Sequence, residues 1–430
     1  MYLRGVFIKN PVLIVYIMKT LNLIVFSADN IVNDKIEEVH EALFSVLRKE
    51  YDINLVSHKH IEKLDAASFS MILISSGNVG NEIINKYENL PHPLYIVVDG
   101  KRNSLGVALE VLAWANSQSV KAEIIYGSPE DMLHKINMQY AVFQAQVSLK
   151  GKKIGVIGTP AKWLVSSEVN YLLTQRRWGV EFVDINQDDL LPVYEAITEN
   201  EIDGKCEALV SHAAGCENIN PDDVVRAVKF YEAMRRVIAE NGLDAVTVYC
   251  MRIQKRLNTT SDVALSLLNN EGIPAGSEGD LQSIFTMLML KELTGEKSFM
   301  GNVSGVDHRD NSILMSHCSI STDMTAGYYL NTHFESNSGV AVHGIMEEQE
   351  DVTVVKCGGE CLDEYFVSHG TVMNHAYSDE LCRTQIKVRL NEAVDYFLER
   401  PISNHHVLVR GNHEKIVNDF LLHNSCKRIR

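Results

Sequence analysis

Glu278, His317 and the adjacent pair His405-His406 are the residues whose types and settings suit metal or proton chemistry. Glu278 lies in Ser277-Glu278-Gly279-Asp280, between a short buried link and an amphipathic run in which Leu281, Ile284, Phe285, Leu288 and Met289 share one helical face. Two roles compete for it. Ser277 and Asp280 can form an S-x-x-D capping box, leaving Glu278 as an ordinary first-turn acid. Alternatively, Glu278 is a carboxylate presented at the end of a strand. The run Ile313–Ser316 reads as a strand that delivers His317, followed by Cys318. In Asn404-His405-His406-Val-Leu-Val, strand alternation sends the two histidines to opposite faces, so one can enter a site while the other turns away. A lone strand histidine is commonly just a satisfied polar group. A carboxylate with two histidines from separate strands is a set that suits Mn²⁺, Fe²⁺ or Zn²⁺.

Other chemistries are excluded by what the chain lacks. The turn after Lys153–Ile157 reads Gly158-Thr-Pro-Ala-Lys-Trp163 and has none of the later glycines of a dinucleotide loop. Neither a G-x-x-x-x-G-K-[ST] phosphate loop nor a G-x-S-x-G nucleophile turn occurs. The formal charge of -16 argues against a nucleic-acid partner, which needs a basic face. Eight scattered cysteines form no secreted-type framework, and Cys357 and Cys361 lack a second pair for zinc, so they read as reduced thiols of a cytoplasmic protein. The apolar run Pro11–Met18 is too short to span a bilayer, and no membrane partner is expected. Met18 offers an alternative start to Met1, and a secretory signal is the minor reading of the first residues.

The elements that must position these residues follow from periodicity. Leu21–Phe26, Met71–Ser75, Leu94–Val98 and Ala122–Tyr126 read as strands, alternating with helical patterns at Asn33–Lys49, Glu82–Glu88 and Ser104–Asn116. A second series follows, with strands Lys153–Gly158, Val180–Asp184, Ala208–Ser211 and Ala245–Tyr249, and a helix Pro221–Asn241 capped by Asn220. From about residue 298 short β-rich runs take over: Ser312–Met315, Gly339–His343, Val352–Lys356, Gln385–Leu390 and His406–Val409, then a helix Glu414–Leu422. Ten of the 16 histidines lie in this last third. The pattern predicts an α/β protein with two doubly wound parallel-sheet domains followed by a C-terminal antiparallel, β-rich, barrel-like domain. The expected boundaries are an N-terminal extension 1–20, α/β domains 21–150 and 151–297, and a β-rich domain 298–430.

With these pieces in place the chain resembles the L-fucose isomerase and L-arabinose isomerase superfamily, particularly its fucose-isomerase-like branch. The resemblance is carried by Ala264-Leu-Ser-Leu-Leu-Asn-Asn-Glu-Gly-Ile-Pro-Ala-Gly-Ser-Glu-Gly-Asp280, Phe299-Met-Gly-Asn302, Ser316-His-Cys318, Thr332-His-Phe-Glu-Ser336, Cys382-Arg-Thr-Gln385 and Asn404-His-His406, with weaker pieces at Asn103–Glu110 and Trp163–Ser167. It implies two Rossmann- or flavodoxin-like domains, Mn²⁺-dependent aldose–ketose isomerisation of a pentose or 6-deoxyhexose, and a trimer or hexamer. It implies a metal-binding and proton-transferring role for Glu278 and ligand roles for His406 and His317. The family's second acid falls near Gly301-Asn302, where Asn302 offers only a neutral oxygen to the ion. Glu335 is the preferred replacement acid, ahead of Asp280 and Asp307. His405 is expected as the outward or supporting partner. Trp163, His333 and Arg383 are expected at the sugar, with a packed indole and a structural ion pair as the alternatives for Trp163 and Arg383. Other classes compatible with the residues are a sugar-binding or regulatory homologue without turnover, and another metal-dependent sugar reaction such as epimerisation.

Overall fold

The computed structural model describes residues 18–28, 33–65, 68–249 and 251–430. Two compact units emerge, residues 1–140 and 141–430. The expected boundary at residue 150 therefore moves into the helix Pro129–Leu149, and the second and third expected domains fall within one unit. All of the N-terminal extension before Met18 lies outside the described residues.

Among the described residues the first unit holds five strands: β1 (Lys19–Phe26), β2 (Tyr51–Ser57), β3 (Ser70–Ile74), β4 (Leu94–Val97) and β5 (Ala122–Ile125). They form a parallel sheet in the order β2-β1-β3-β4-β5. Continuous apolar runs such as Met71-Ile-Leu-Ile74, all buried, are what a parallel sheet covered on both faces requires. Strand β2 is absent from the sequence reading because alternating Asp52 and Asn54 break its apolar run. The expected helix Asn33–Lys49 is two helices, Asn33–Val39 and Glu41–Leu47, separated at His40.

In the second unit, β6 (Lys153–Gly158), β7 (Glu181–Ile185), β9 (Ala245–Tyr249) and β10 (Ala275–Ser277) make a parallel sheet ordered β10-β9-β6-β7, while β8 (Gly215–Cys216) pairs elsewhere. The expected strand Ala208–Ser211 is instead the end of helix Glu199–Ser211. That helix starts from a reciprocal Thr198–Glu201 capping box, and its continuity overrides the local apolar tetrad. The helix Pro221–Asn241 forms as expected, with Asn220 accepting the Asp223 amide and Gly242 ending it in the left-handed conformation.

The β-rich part comprises β11 (Ser298–Asp307), β12 (Ser312–His317), β13 (Gly327–Asn331), β14 (Ala341–Ile345), β15 (Asp351–Gly358), β16 (Glu364–Met373), β17 (Thr384–Leu390), β18 (His406–Arg410) and β19 (Lys427–Arg428). The pairing order β15-β18-β11-β12-β17-β16 is antiparallel throughout. A further β15–β16 pairing closes it into a ring, with β19 added parallel to β16. Closure leaves no free edge among the six strands. Strands β14, β13 and β8 form a small separate sheet. Helix Leu281–Thr294 packs against β15, β11 and β18 of the ring and against β9 and β6 of the parallel sheet. Lying between two layers, it is buried nearly all round, including Gln282, Ser283 and Thr286, and so lacks the one-sided pattern of a surface helix.

Candidate active site

Glu278 is the first residue after β10, at the carboxyl ends of the parallel strands, where open α/β sheets place their ligand sites. It adopts φ 65°, and Gly279 follows at φ 69°. Two successive left-handed residues, one of them not glycine, are costly by roughly 1–3 kcal/mol and persist only where the surroundings enforce them. Here the loop after β6 does so. The Ala161 amide donates to the Glu278 carbonyl at 2.8 Å, and a Cβ on Gly279 would stand 2.6 Å from the Pro160 Cα. The strained turn directs the Glu278 carboxylate outward, where the indole Nε1–H of Trp163 donates to Oε2 at 2.7 Å. Trp163 is 59% exposed and meets Tyr249 edge-on at 5.3 Å, so it is not a packed core indole.

Two histidines converge on this carboxylate. His317, at the end of β12, has Nε2 3.9 Å from Oε1, and His405, just before β18, has Nε2 3.6 Å from Oε2. Glu278, His317 and His405 each offer an atom within 4.8 Å of the others. Of the adjacent pair, His405 therefore enters the site, and the expectation of His406 there is corrected. His406 is fully buried on the opposite face, donating from Nδ1 to the Asn404 carbonyl at 3.0 Å and accepting from the Tyr396 hydroxyl at 3.1 Å. Phe397 lies 4.9 Å from its ring, and burial pushes its pKa down to about 3. Both nitrogens are engaged, so none is free for an ion.

The orientation of His405 is fixed from behind. Its Nδ1 donates to Asp280 Oδ2 at 2.9 Å. Asp280 is the N-cap of helix Leu281–Thr294, accepting the Ser283 amide and hydroxyl at 2.9 Å each, and Lys356 Nζ approaches it to 3.5 Å. The cap is thus Asp280 itself, and Ser277 stays in β10 with its hydroxyl 3.1 Å from His317 Nε2. Burial works to raise the Asp280 carboxyl, but Lys356 and His405 hold it well below the usual range. Burial conversely lowers the ammonium of Lys356, which is wholly enclosed. Lys356 escaped the sequence reading because it ends an apolar strand run, where a lysine is expected at an edge.

With Nδ1 turned to Asp280, His405 aims Nε2 at the Glu278 carboxylate, 3.6 Å away. That nitrogen is buried and has no hydrogen-bond partner among the described residues. A carboxylate–histidine–ion chain is a common way to build a metal site, and Glu278, His317 and His405 form a group that could hold one. The donor set, one carboxylate and imidazole nitrogens, fits Mn²⁺, Fe²⁺ or Zn²⁺. His317 differs. Its Nδ1 accepts the Cys318 amide at 2.9 Å, so the neutral ring carries its proton on Nε2 and points an N–H toward Ser277 and Glu278. Burial, with the nearby His405 and His333, lowers its pKa to about 3, which keeps the ring neutral.

The cleft in front of these groups has a volume near 470 Å³. Besides Glu278 and His317 its walls include Trp163, His333, Glu335, Asp262 and Lys255. Of the expected residues, Trp163, His333 and Glu335 share this cleft, Glu335 from an exposed loop. Asn302 does not join the group; its carbonyl oxygen accepts the Asn404 amide at 2.5 Å. Arg383 is buried and donates from Nε to the Thr332 carbonyl at 2.9 Å rather than to an acid of the site. Of the other acids, Asp280 is committed to capping, and Asp307 pairs with Arg309 in an exposed turn at 2.9 Å. Sequence reasoning missed Asp262, which reads as a routine first-turn acid of helix Asp262–Asn270.

A carboxylate beside two buried histidines, set at the carboxyl edge of a parallel sheet and open to a sugar-sized cleft, defines a site for general acid–base or metal-assisted chemistry. No family model matches the chain. It is similar to curated sulfoquinovose isomerases: 23% identical over 274 residues to that of Clostridium sp. (strain MSTE9), covering 61% of each chain. For the enzyme of Priestia aryabhattai the figures are 23% over 219 residues, covering 48% of this chain and 49% of the relative. The chain thus spans less than two thirds of the length of the curated relatives it matches.

Proposed function

We propose that this protein is a metal-dependent aldose–ketose isomerase. The observation that carries the reading is the buried, unpartnered Nε2 of His405 aimed at Glu278, backed by Asp280. Glu278 and His405 hold the divalent ion, Mn²⁺ first among the candidates. When bound, the ion polarises adjacent carbonyl and hydroxyl oxygens as a Lewis acid.

The protein's own groups supply the rest. Glu278 removes the proton from C2 of the open-chain aldose, exchanges it with solvent at the cis-enediol stage and delivers a proton to C1. His317, neutral and with its proton on Nε2, donates a hydrogen bond to the oxygen on which charge develops. Glu335 is the second acid–base group, taking the place that Asn302 cannot fill. Trp163 fixes the Glu278 carboxylate and offers an exposed ring face to the sugar. Asp280 and Lys356 hold His405 in its tautomer. A trimeric or hexameric cytoplasmic enzyme accords with this reading.

The names of the relatives put a sulfonated sugar ahead of the pentoses and 6-deoxyhexoses, and Lys255 on the cleft wall is the cation suited to a sulfonate. The test is to strip the protein with chelator and restore Mn²⁺, Zn²⁺ or Co²⁺. Ketose formation is then measured from sulfoquinovose, L-fucose and L-arabinose. Metal-restored turnover of at least one sugar is expected. Sugar binding with no turnover under any ion would instead favour the non-catalytic homologue.

A further inference from the structure

A second convergence of ligand atoms lies on the same cleft wall and takes no part in the chemistry above. Asp262, Cys318 and His333 each offer one atom within 4.8 Å of the others. Each is oriented so that one ligand atom is left over. Thr260 occupies the Asp262 side chain from one side, while Asp262 Oδ2, in a residue only 5% exposed, has no hydrogen-bond partner among the described residues. His333 has Nδ1 within 3.2 Å of the Ser336 hydroxyl, which leaves Nε2. The Arg383 amide donates to Cys318 Sγ at 3.5 Å, as an N–H does to a metal-bound thiolate, and the Cys382 thiol is hydrogen-bonded to the same sulfur. Burial favours an uncharged Asp262, with Glu278 adding to the effect and His333 opposing it, so the bare carboxylate is poorly accommodated without a counter-charge.

We propose that Asp262, Cys318 and His333, with Cys382 alongside as a further sulfur, bind a second divalent cation of zinc type, distinct from the ion at Glu278 and His405. A thiolate, an imidazole and a carboxylate make a softer set than the Glu278 site, and such sets select zinc or cobalt over manganese. Binding releases the Cys318 thiol proton to solvent, so affinity falls as pH is lowered. Because His317 and Cys318 are consecutive, an ion here braces the strand end that carries His317 toward Glu278. The site stands whether or not the isomerase reading does.

The experiment titrates chelator-stripped, reduced full-length protein with Co²⁺, following both stoichiometry and the near-ultraviolet thiolate-to-cobalt absorption. The native chain is expected to bind two equivalents, one of which produces the thiolate band. Cys318→Ser and Asp262→Asn should each lose the band and one equivalent, whereas Glu278→Gln should keep the band. Should Cys318→Ser fold poorly, His333→Ala at a half-buried position is expected to weaken the thiolate-bound equivalent by about 10–100-fold. A single equivalent without the band would overturn the proposal. So would a band that survives Cys318→Ser or disappears with the exposed Cys216→Ser.

Discussion

The two parallel sheets each carry a carboxylate–histidine relay around a buried histidine at their carboxyl ends, and they differ in what the relay meets. In the first unit, Asp99 Oδ2 lies 2.7 Å from His40 Nδ1, and His40 Nε2 lies 2.9 Å from the hydroxyl of Ser75, immediately after β3. The order Asp–His–Ser is that of a hydrolytic triad. Yet Ser75 is fully buried and completes the histidine's hydrogen bonding, so the relay ties helix Glu41–Leu47 to the sheet. In the second unit, Asp280 and His405 repeat the first two members, but the outer nitrogen of the histidine has no hydrogen-bond partner among the described residues and faces the Glu278 carboxylate on an open cleft. Relay geometry alone therefore does not distinguish scaffold from chemistry. The unsatisfied atom does.

The sharpest way to break this contrast is to remove each outer member. Glu278→Gln should lower kcat/KM by about 10³-fold or more, in the range of lost general-base and ligand functions, with the fold retained. Asp99→Asn in the other relay should leave turnover within about two-fold while lowering the melting temperature. Comparable kinetic losses in both would erase the distinction.

Stability separates the supports next. Asp280→Asn leaves Lys356 buried without its counter-charge, at a cost of about 3–5 kcal/mol, and should also weaken metal binding by about 10–100-fold. Because the Asp280 carboxyl is depressed in the folded state, its contribution is present in full above the unfolded value near pH 4. It is lost as pH falls through the lower folded value. Urea denaturation as a function of pH should show native stability falling below about pH 4. The Asp280→Asn variant should show a shallower dependence.

How far the sequence reveals this arrangement depends on which physical signal each part leaves. Most strands of both parallel sheets and the helix at Pro221 stand out because apolar runs and caps are local. Strands β2, β10 and β11 do not: Asp52, Asn54 and the Gly301-Asn302 pair interrupt two of them, and Ala275-Gly-Ser277 is too short and small to show a pattern. Alternation correctly sets His405 and His406 on opposite faces, but it carries no sign. Only the Tyr396–Phe397 segment, which claims His406, decides which one enters the site. The roles of Asp280, Lys356 and Asp262 are likewise tertiary: a cap, a strand-end lysine and a first-turn acid look ordinary until folding buries them together.

Smaller effects refine the site. Gly279→Ala forces a Cβ into the Pro160 backbone at positive φ, and should cost about 1–3 kcal/mol while lowering kcat more than it raises KM. His317→Gln is expected to retain the bound ion while kcat falls, since the structure gives Nε2 a proton; loss of the ion on calorimetry would make it a ligand instead. Lys255→Ala should raise KM for a sulfonated sugar by about ten-fold and leave an uncharged sugar unaffected, in line with a lost charge-assisted contact.

The central claim, proton transfer by Glu278 at a metal-bound sugar, is tested most directly by running the isomerisation in D₂O and reading C1 and C2 of the sugar by NMR. The account predicts solvent deuterium in the product of the metal-restored native protein and none above background with Glu278→Gln. Turnover that carries no solvent label, or labelling at the native rate in the variant, would contradict it.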